Sequence, residues 1–363
     1  RETFNYTQVI PYQPWMANAS LQLVENLCGC GNYQEMNAQE LITNDVSTEA
    51  KRLSAMSPIV AYIQPTVEVV KNRSEQYEAH LDFPVNKSVI LTDFMNNHSE
   101  LVNIHSMFDK IQNDKNLTVQ SISIEGFASP EGPLAFNEQL SKKRAEALKD
   151  YLVKNEKASA KLYKVTFGGE NWDGLVKALE SSSMKDKETF LNIIKNTTND
   201  VKRKQEIMKV GGGAPYRTML NCKIDYTVVN FDVEQGRIII RENPKYLSLN
   251  EMYQVANSYP KGSKDFVDVF DIAVRMYPTD AVANLNAAAV ALSQKDINTA
   301  LKYMEKADHT TAEFLNNTGV YNFLNGDIQR ATAAFEQAAK LGNEAAQANL
   351  KQLQQIMNMK MSK

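Results

Sequence analysis

The sequence predicts an α+β protein built from three consecutive regions. Residues 1–75 alternate apolar and polar side chains between prolines and glycines, a pattern that favours short strands. Residues 76–242 alternate strand-like and helix-like segments in the order β-α-β-α-β, followed by a helical insertion and a last strand. From residue 243 the strand patterns disappear and helical periodicity continues to the end. We therefore predict a β-rich N-terminal region, a central α+β sandwich domain over 76–242 with helices on one sheet face, and helical repeats over 243–363.

Composition excludes several classes of protein. Hydrophobic residues make up 43% of the chain and charged residues 23%, which is typical of soluble globular domains. A net charge of −3 provides no electrostatic footprint for nucleic acid, so we expect no such partner. We also expect no transmembrane segment in this chain, because no apolar run approaches the roughly 20 residues that a membrane helix needs.

The N-terminal region carries the strand patterns and two of the three cysteines. Leu21 alternates with Leu23, and Val67 with Val69, as in strands. Cys28 and Cys30 form a Cys-x-Cys pair, but no second Cys/His pair stands at a zinc-supporting spacing, so we expect no metal or cofactor. Two alternatives remain for the thiols: buried or free cysteines, or a bridge from Cys222 to one of the pair in an oxidising compartment.

The segment 97–112 has the pattern of an amphipathic helix. Asn97, with Glu100 three residues later, resembles a capping box with Asn in the place of Ser or Thr. The apolar residues fall at helical spacing and predict one buried stripe. These residues are Leu101, Ile104, Phe108 and Ile111.

Residues 119–152 predict a strand, a tight connection and a long helix. Ile122 and Ile124 alternate with polar residues, and Pro133 suits the first turn of a helix, where its missing N–H would have no partner. Four polar side chains cluster near this junction and are our candidates for ligand binding. They are Ser129, Glu131, Asn137 and Arg144.

The C-terminal region contains a repeat over residues 247–342. Ala273, Ala307 and Ala338 recur at periods of 34 and 31 residues, each with a large apolar residue three positions earlier. This period is the tetratricopeptide signature, whose stacked helix pairs leave a groove for a peptide. Residues 343–357 predict a capping helix. Candidates for the groove lining are Asn250, Gln254, Asn284, Ala288, Leu315 and Asn322. Asn side chains can hydrogen-bond a peptide backbone.

The junction resembles the OmpA C-terminal-like family, the peptidoglycan-associated domain of bacterial envelopes. The resemblance rests on Gly126, Gly132, Asn137, Leu140, Ser141, Arg144 and Ala145. It extends from Phe83 to about Phe231 if the helical insertion is allowed. It implies that Arg144 is the cation of a clamp for the diaminopimelate of a stem peptide. The family's aspartate is replaced by Ser129, and Glu131 lies two residues away. Because a hydroxyl cannot replace a carboxylate opposite an ammonium, we expect weak peptidoglycan binding.

The whole chain also resembles an uncharacterised envelope family of Bacteroides-type bacteria, through "CGCG", "DFPVNK" and "GENWDGL" followed by repeats. The resemblance implies an exported protein, periplasmic, outer-membrane-associated or at the cell surface, whose signal peptide has been removed. It also implies an envelope or fimbrial protein as the partner of the repeats.

An enzymatic function has little support in the sequence. Ser182 and Lys185 have the Ser-x-x-Lys spacing of penicillin-binding enzymes, but the other motifs of that class are missing. We therefore expect a non-enzymatic envelope scaffold that binds a protein through its repeats and whose cell-wall site is degraded. The alternative is a peptidoglycan-binding anchor module.

Overall fold

The computed structural model describes residues 7–8, 16, 19–27, 36–43, 53–54, 56–84, 86–128, 130, 133–210 and 220–358. It is a mixed α+β structure with N-terminal strands, a central sheet and many C-terminal helices. The chain divides into two compact units, of which the first combines residues 1–67 with 233–363 and the second contains residues 68–232. We predicted boundaries at 75/76 and 242/243. The first of these would cut through the strand Lys71–Ala79.

The first unit begins with an antiparallel hairpin of β1 (Leu21–Leu27) and β2 (Met36–Thr43). Leu21 and Leu23 alternate along β1 as predicted, and each remains about half exposed. Residues 57–68 have no regular secondary structure. Val67 and Val69 are therefore not in a strand, contrary to our prediction, and their exposures are 68% and 77%. No partner strand is paired with this segment in the part of the chain that is described.

The second unit is a four-stranded sheet with two long helices. Its elements are β3 (Lys71–Ala79), α1 (Asn97–Gln112), β4 (Leu117–Ala128), α2 (Leu134–Asn155), β5 (Tyr163–Glu170) and β6 (Leu220–Val228). The strand order is β3-β6-β4-β5, with β4 and β5 parallel and the other pairs antiparallel. The predicted apolar stripe of α1 is buried, which confirms that face, and Ile122 and Ile124 of β4 are fully buried.

The N-terminus of α1 differs from the prediction. Asn97 is inside the helix and makes no capping bond; the N-cap position is Asn96. The buried Asn97 amide instead accepts from Asp82 N and donates to the carbonyls of Asp82 and Leu91. The Asn97 side chain therefore holds the preceding loop. The spacing of neighbouring residues does not predict such a long-range contact.

The helical insertion forms α3 (Trp172–Ser181), α4 (Lys187–Asn196) and α5 (Asp200–Lys209). These three helices share a small apolar core of their own, which includes Leu175, Phe190 and Ile207. A single helical stretch was predicted here. The breaks fall at residues 182–186 and 197–199. At the second break the Asn199 side chain accepts from Lys202 N and caps the new helix.

The described C-terminal part of the first unit contains eight α-helices in succession. They are α6 (Val233–Glu242), α7 (Leu249–Asn257), α8 (Lys264–Met276), α9 (Ala281–Ser293), α10 (Ile297–Met304), α11 (Ala312–Leu324), α12 (Ile328–Lys340) and, closing the series, α13 (Glu344–Asn358), with a 3-10 turn at Pro244–Tyr246. Each helix from α7 to α12 begins at a residue whose side chain caps it. These caps are Ser248, Ser263, Asp280, Asp296, Thr311 and Asp327.

The periodic apolar positions of this region are buried. Phe266, Phe270 and Ala273 lie on α8, while Ala331, Phe335 and Ala338 lie on α12. Ala307, by contrast, follows the end of α10 at Met304. A Cβ atom added at Gly319 would lie 2.5 Å from the Phe335 ring, so only glycine allows α11 and α12 to approach this closely.

Candidate functional site

An extended segment, residues 56–67, lies along the C-terminal helices and is hereafter the arm. Its backbone is held by five buried asparagines, hereafter the asparagine ladder. They are Asn250 on α7, Asn286 on α9, Asn316 and Asn317 on α11, and Asn349 on α13. These helices alternate with α8, α10 and α12, so the arm contacts the first helix of each successive pair.

Every second residue of the arm is bound through its main chain. Ile59 N donates to Asn349 Oδ1 at 2.8 Å, and Ile59 O accepts from Asn349 and Asn316 at 2.9 Å each. Ala61 exchanges two bonds of 2.8 Å with Asn317. Ile63 exchanges two bonds of 2.8 Å with Asn286. An amide matches a peptide unit because it presents one donor group and one acceptor.

The ladder ends at a proline. Pro65 has no N–H, and its carbonyl accepts from Asn250 Nδ2 at 2.6 Å. The Oδ1 atom of Asn250 is satisfied instead by Gln254 Nε2 at 2.7 Å. Pro65 offers no donor, and the acceptor of Asn250 is already engaged by Gln254. This match fixes the register of the arm on the helices.

Side chains between the bound residues fill pockets. Val60 packs against the core of α9 to α13. Tyr62 stacks on Phe270 with ring centroids 5.5 Å apart and contacts Phe266 edge-on at 5.8 Å. Its hydroxyl bonds the side chain of Ser293, and burial raises the pKa of Tyr62 to about 12. The arm is thus held both by its backbone and by alternate side chains.

The predicted groove residues take different positions. Asn250 and Gln254 belong to the ladder and its support. Asn284 donates to the carbonyls of Pro278 and Asp280 at the start of its own helix. Ala288 and Leu315 lie in or against the core, and Asn322 is half-buried near the end of α11.

Sequence reasoning missed four of the five ladder residues. A signal was available, because Asn250, Asn286, Asn317 and Asn349 recur at 36, 31 and 32 residues. A fixed period of 34 residues from Asn250 reaches Asn284, two residues short of the one that binds. The offset arises because Asn250 is the second residue of α7, whereas Asn286 is the sixth residue of α9.

The other candidate site is the β4–α2 junction of the second unit. β4 continues through Gly126 to Ala128, beyond the strand we predicted. A Cβ atom at Gly126 would lie 2.5 Å from Ser141 O and 2.8 Å from Ala145 Cβ, so α2 packs directly on the strand at this glycine. Ser129, Glu131 and Gly132 lie outside the described residues.

Arg144 and Asn137 on α2 are both buried. Arg144 is 6% exposed; its guanidinium lies 4.7 Å from the Phe83 ring centroid, and its Nε donates to Lys87 O at 3.3 Å. Burial lowers the pKa of Arg144 to about 10, so it remains charged at neutral pH. Asn137 donates to Glu170 Oε1 at 2.7 Å.

The junction lies within a match to a known protein family. Residues 83–182 match the OmpA family. OmpA domains can bind peptidoglycan, and the match suggests an envelope or peptidoglycan-associated role. A search of curated proteins found no significant match to the chain. Among the described residues, no helix has both the length and the apolar character required to cross a membrane.

The insertion helices contact the OmpA-family domain through Glu170, the last residue of β5. The Glu170 carboxylate accepts from Trp172 Nε1 at 3.2 Å and from Lys204 of α5, in addition to Asn137. Lys204 also pairs with Asp200 at 2.9 Å, and Arg203 stacks on Trp172 at 4.5 Å. Asn137, a predicted ligand residue, is therefore engaged in holding the insertion.

Proposed function

We propose that this protein is a non-enzymatic scaffold of the cell envelope that binds a polypeptide through its C-terminal helices. The asparagine ladder carries this proposal: its eight hydrogen bonds to the main chain of the arm form a surface that recognises extended polypeptide. The buried periodic positions on α8 and α12 support our interpretation of these helices as tetratricopeptide-like repeats.

The partner that we propose is an envelope or fimbrial protein. The chain is proposed to be exported, and the OmpA-family match supports an envelope location. A pull-down from envelope extract with the full chain tests this role. The wild-type protein should recover a specific protein, and the double variant Asn286→Ala, Asn317→Ala should recover less of it. Equal recovery of the partner by both proteins would show that the ladder does not bind it.

We further propose that the cell-wall site of the OmpA-family domain is weakened. Arg144 is only 6% exposed and packs against Phe83 and Lys87, and Asn137 is hydrogen-bonded to Glu170. A ligand would therefore have to compete with these contacts for both side chains. Ser129 in the place of the family's aspartate supplies no anion for an ammonium group. Loss of a hydrogen bond to a charged group should weaken binding about ten- to a hundredfold.

A peptidoglycan anchor is the second candidate function, favoured by the family match and by the retention of Arg144 and Asn137 at the motif positions. Co-sedimentation with purified sacculi separates the two. We expect weak sedimentation that Ser129→Asp increases. Tight sedimentation that Arg144→Ala abolishes and Lys143→Ala preserves would establish the anchor instead.

A further inference from the structure

We infer that the asparagine ladder binds the arm of a second copy of this chain, so that two molecules can exchange residues 56–67. The inference rests on the proposed function, that these helices are a polypeptide-binding surface, and it adds a second copy of the chain to the envelope partner proposed above. In the structure the ladder holds the arm of its own chain. The same contacts would form with an identical arm from another molecule.

The identity of the partner follows from the side-chain requirements of the groove. Main-chain bonds at Ile59, Ala61 and Ile63 would accept many extended peptides. Three positions are selective. Ala61 is 7% exposed and leaves no room for a large side chain, Tyr62 enters an aromatic pocket, and Pro65 meets an Asn250 whose acceptor is engaged. A second copy of the arm satisfies all three requirements at the correct spacing.

The connection between the arm and β3 has the features of a hinge. Residues 66–70 carry no helix or strand, and β3 begins at Lys71. Three valines there are strongly exposed: Val67 at 68%, Val69 at 77% and Val70 at 56%. Burying them in a straightened or paired connection between two molecules would be favourable, because exposed apolar surface carries a free-energy cost.

The balance between the closed and exchanged forms depends on concentration. The ladder contacts are the same in both, so the difference comes from the tether. The chain's own arm is joined to the C-terminal helices through residues 68–232, and this covalent link raises its effective concentration and favours the closed form in dilute solution. Exchange should therefore rise with protein concentration, or when copies are crowded on one surface.

A labelled peptide of residues 57–67, SPIVAYIQPTV, is the direct probe. The variant Ala61→Arg disables the chain's own arm and leaves the ladder intact; Gln64→Arg, at an exposed position of the arm, is its matched control. The peptide should bind the Ala61→Arg protein at least tenfold more tightly than the Gln64→Arg protein. Adding Asn317→Ala should weaken that binding about ten- to a hundredfold, because two hydrogen bonds are lost.

A second measurement covers the case in which Ala61→Arg fails to fold. A protease site inserted at residues 66–70 of the otherwise unchanged chain allows the tether to be cut, after which excess labelled peptide should replace the arm. Two differently labelled full-length proteins should also exchange arms at high concentration and yield dimers by light scattering. Failure of the peptide to enter either a folded Ala61→Arg protein or the cut protein would overturn arm exchange. So would dimers that persist in Asn286→Ala, Asn317→Ala. Capture of an envelope protein in the pull-down would stand independently of either result.

Discussion

Asn317 and Ala61 lie 256 positions apart and exchange two hydrogen bonds of 2.8 Å, one in each direction between the side-chain amide and the peptide unit. Asn317 is fully buried and Ala61 is 7% exposed. Both groups are shielded from water, so water cannot compensate for either hydrogen bond if it is broken. The pair therefore joins the N-terminal arm to the C-terminal helices within one unit.

Asn317→Ala should lower the free energy of unfolding by about 2–4 kcal/mol, because it leaves the buried N–H and C=O of Ala61 unpaired. Urea denaturation measures the change. Asn325→Ala is the control, since Asn325 is exposed and bonds only the nearby Tyr321 carbonyl through its side chain. It should change stability by less than about 0.5 kcal/mol. Similar effects for the two variants would contradict a stabilising role of the ladder.

Glu170→Ala should destabilise the attachment of the insertion by about 3 kcal/mol. The Glu170 side chain is 2% exposed and is bonded to Lys204, whose side chain is 14% exposed, so its removal leaves a poorly hydrated cation. Limited proteolysis within residues 172–209 and urea denaturation both report the loss. The control is Glu180→Ala, which breaks an exposed pair with Lys195 and should cost about 0–1 kcal/mol. Unchanged protease resistance in Glu170→Ala would show that the insertion is held by other contacts.

Stability should fall as pH rises above about 6.5, through the titration of His105. A hydrogen bond and attraction from Glu156, at 2.9 Å, and attraction from Asp109 raise the pKa of His105 in the folded protein. A group with a raised folded pKa stabilises fully below its unfolded pKa, and the contribution is lost as pH passes through the folded pKa. Urea midpoints between pH 5.5 and 8.5 should decrease in the wild type and flatten in this range in His105→Gln. A variant with the same pH slope as the wild type would assign the effect to other groups.

Gly126→Ala should cost about 1–3 kcal/mol, because the new methyl group would overlap Ser141 O and Ala145 Cβ and push α2 away from β4. Thermal unfolding measures the loss. Lys143→Ala, on the exposed side of α2, should remain within about 0.5 kcal/mol of the wild type. If Gly126→Ala changed stability as little as Lys143→Ala, the close packing of α2 on β4 would not require glycine at this position.

Cys222 illustrates a question that the sequence left open. It lies in β6 as a free, fully buried thiol, and burial raises its pKa to about 12. Cys28 and Cys30 lie outside the described residues. In a strand of the central sheet, Cys222 acts as a small apolar residue of the core and is expected to react slowly with thiol reagents.

Periodicity by itself determined much of this molecule. Local hydrophobic periodicity predicts which side of a helix or strand faces the core. It correctly predicted the apolar stripe of α1, the alternation at Ile122 and Ile124, and the buried positions of α8 and α12. The motif from Gly126 to Ala145 resembled the OmpA family, and the family match over residues 83–182 confirms that resemblance.

Only the tertiary structure decided what fills the groove and what engages the polar candidates. Asn286, Asn317 and Asn349 find their partners more than 220 positions away, and Asn137 meets Glu170 only because β5 lies beside α2. An amide side chain binds capping groups, solvent or a distant backbone equally well, so its spacing alone does not select among them. The alternation at Val67 and Val69 predicted a strand for the same reason: extended backbone looks alike in sequence whether its hydrogen bonds go to another strand or, as in the preceding arm, to a ladder of asparagines.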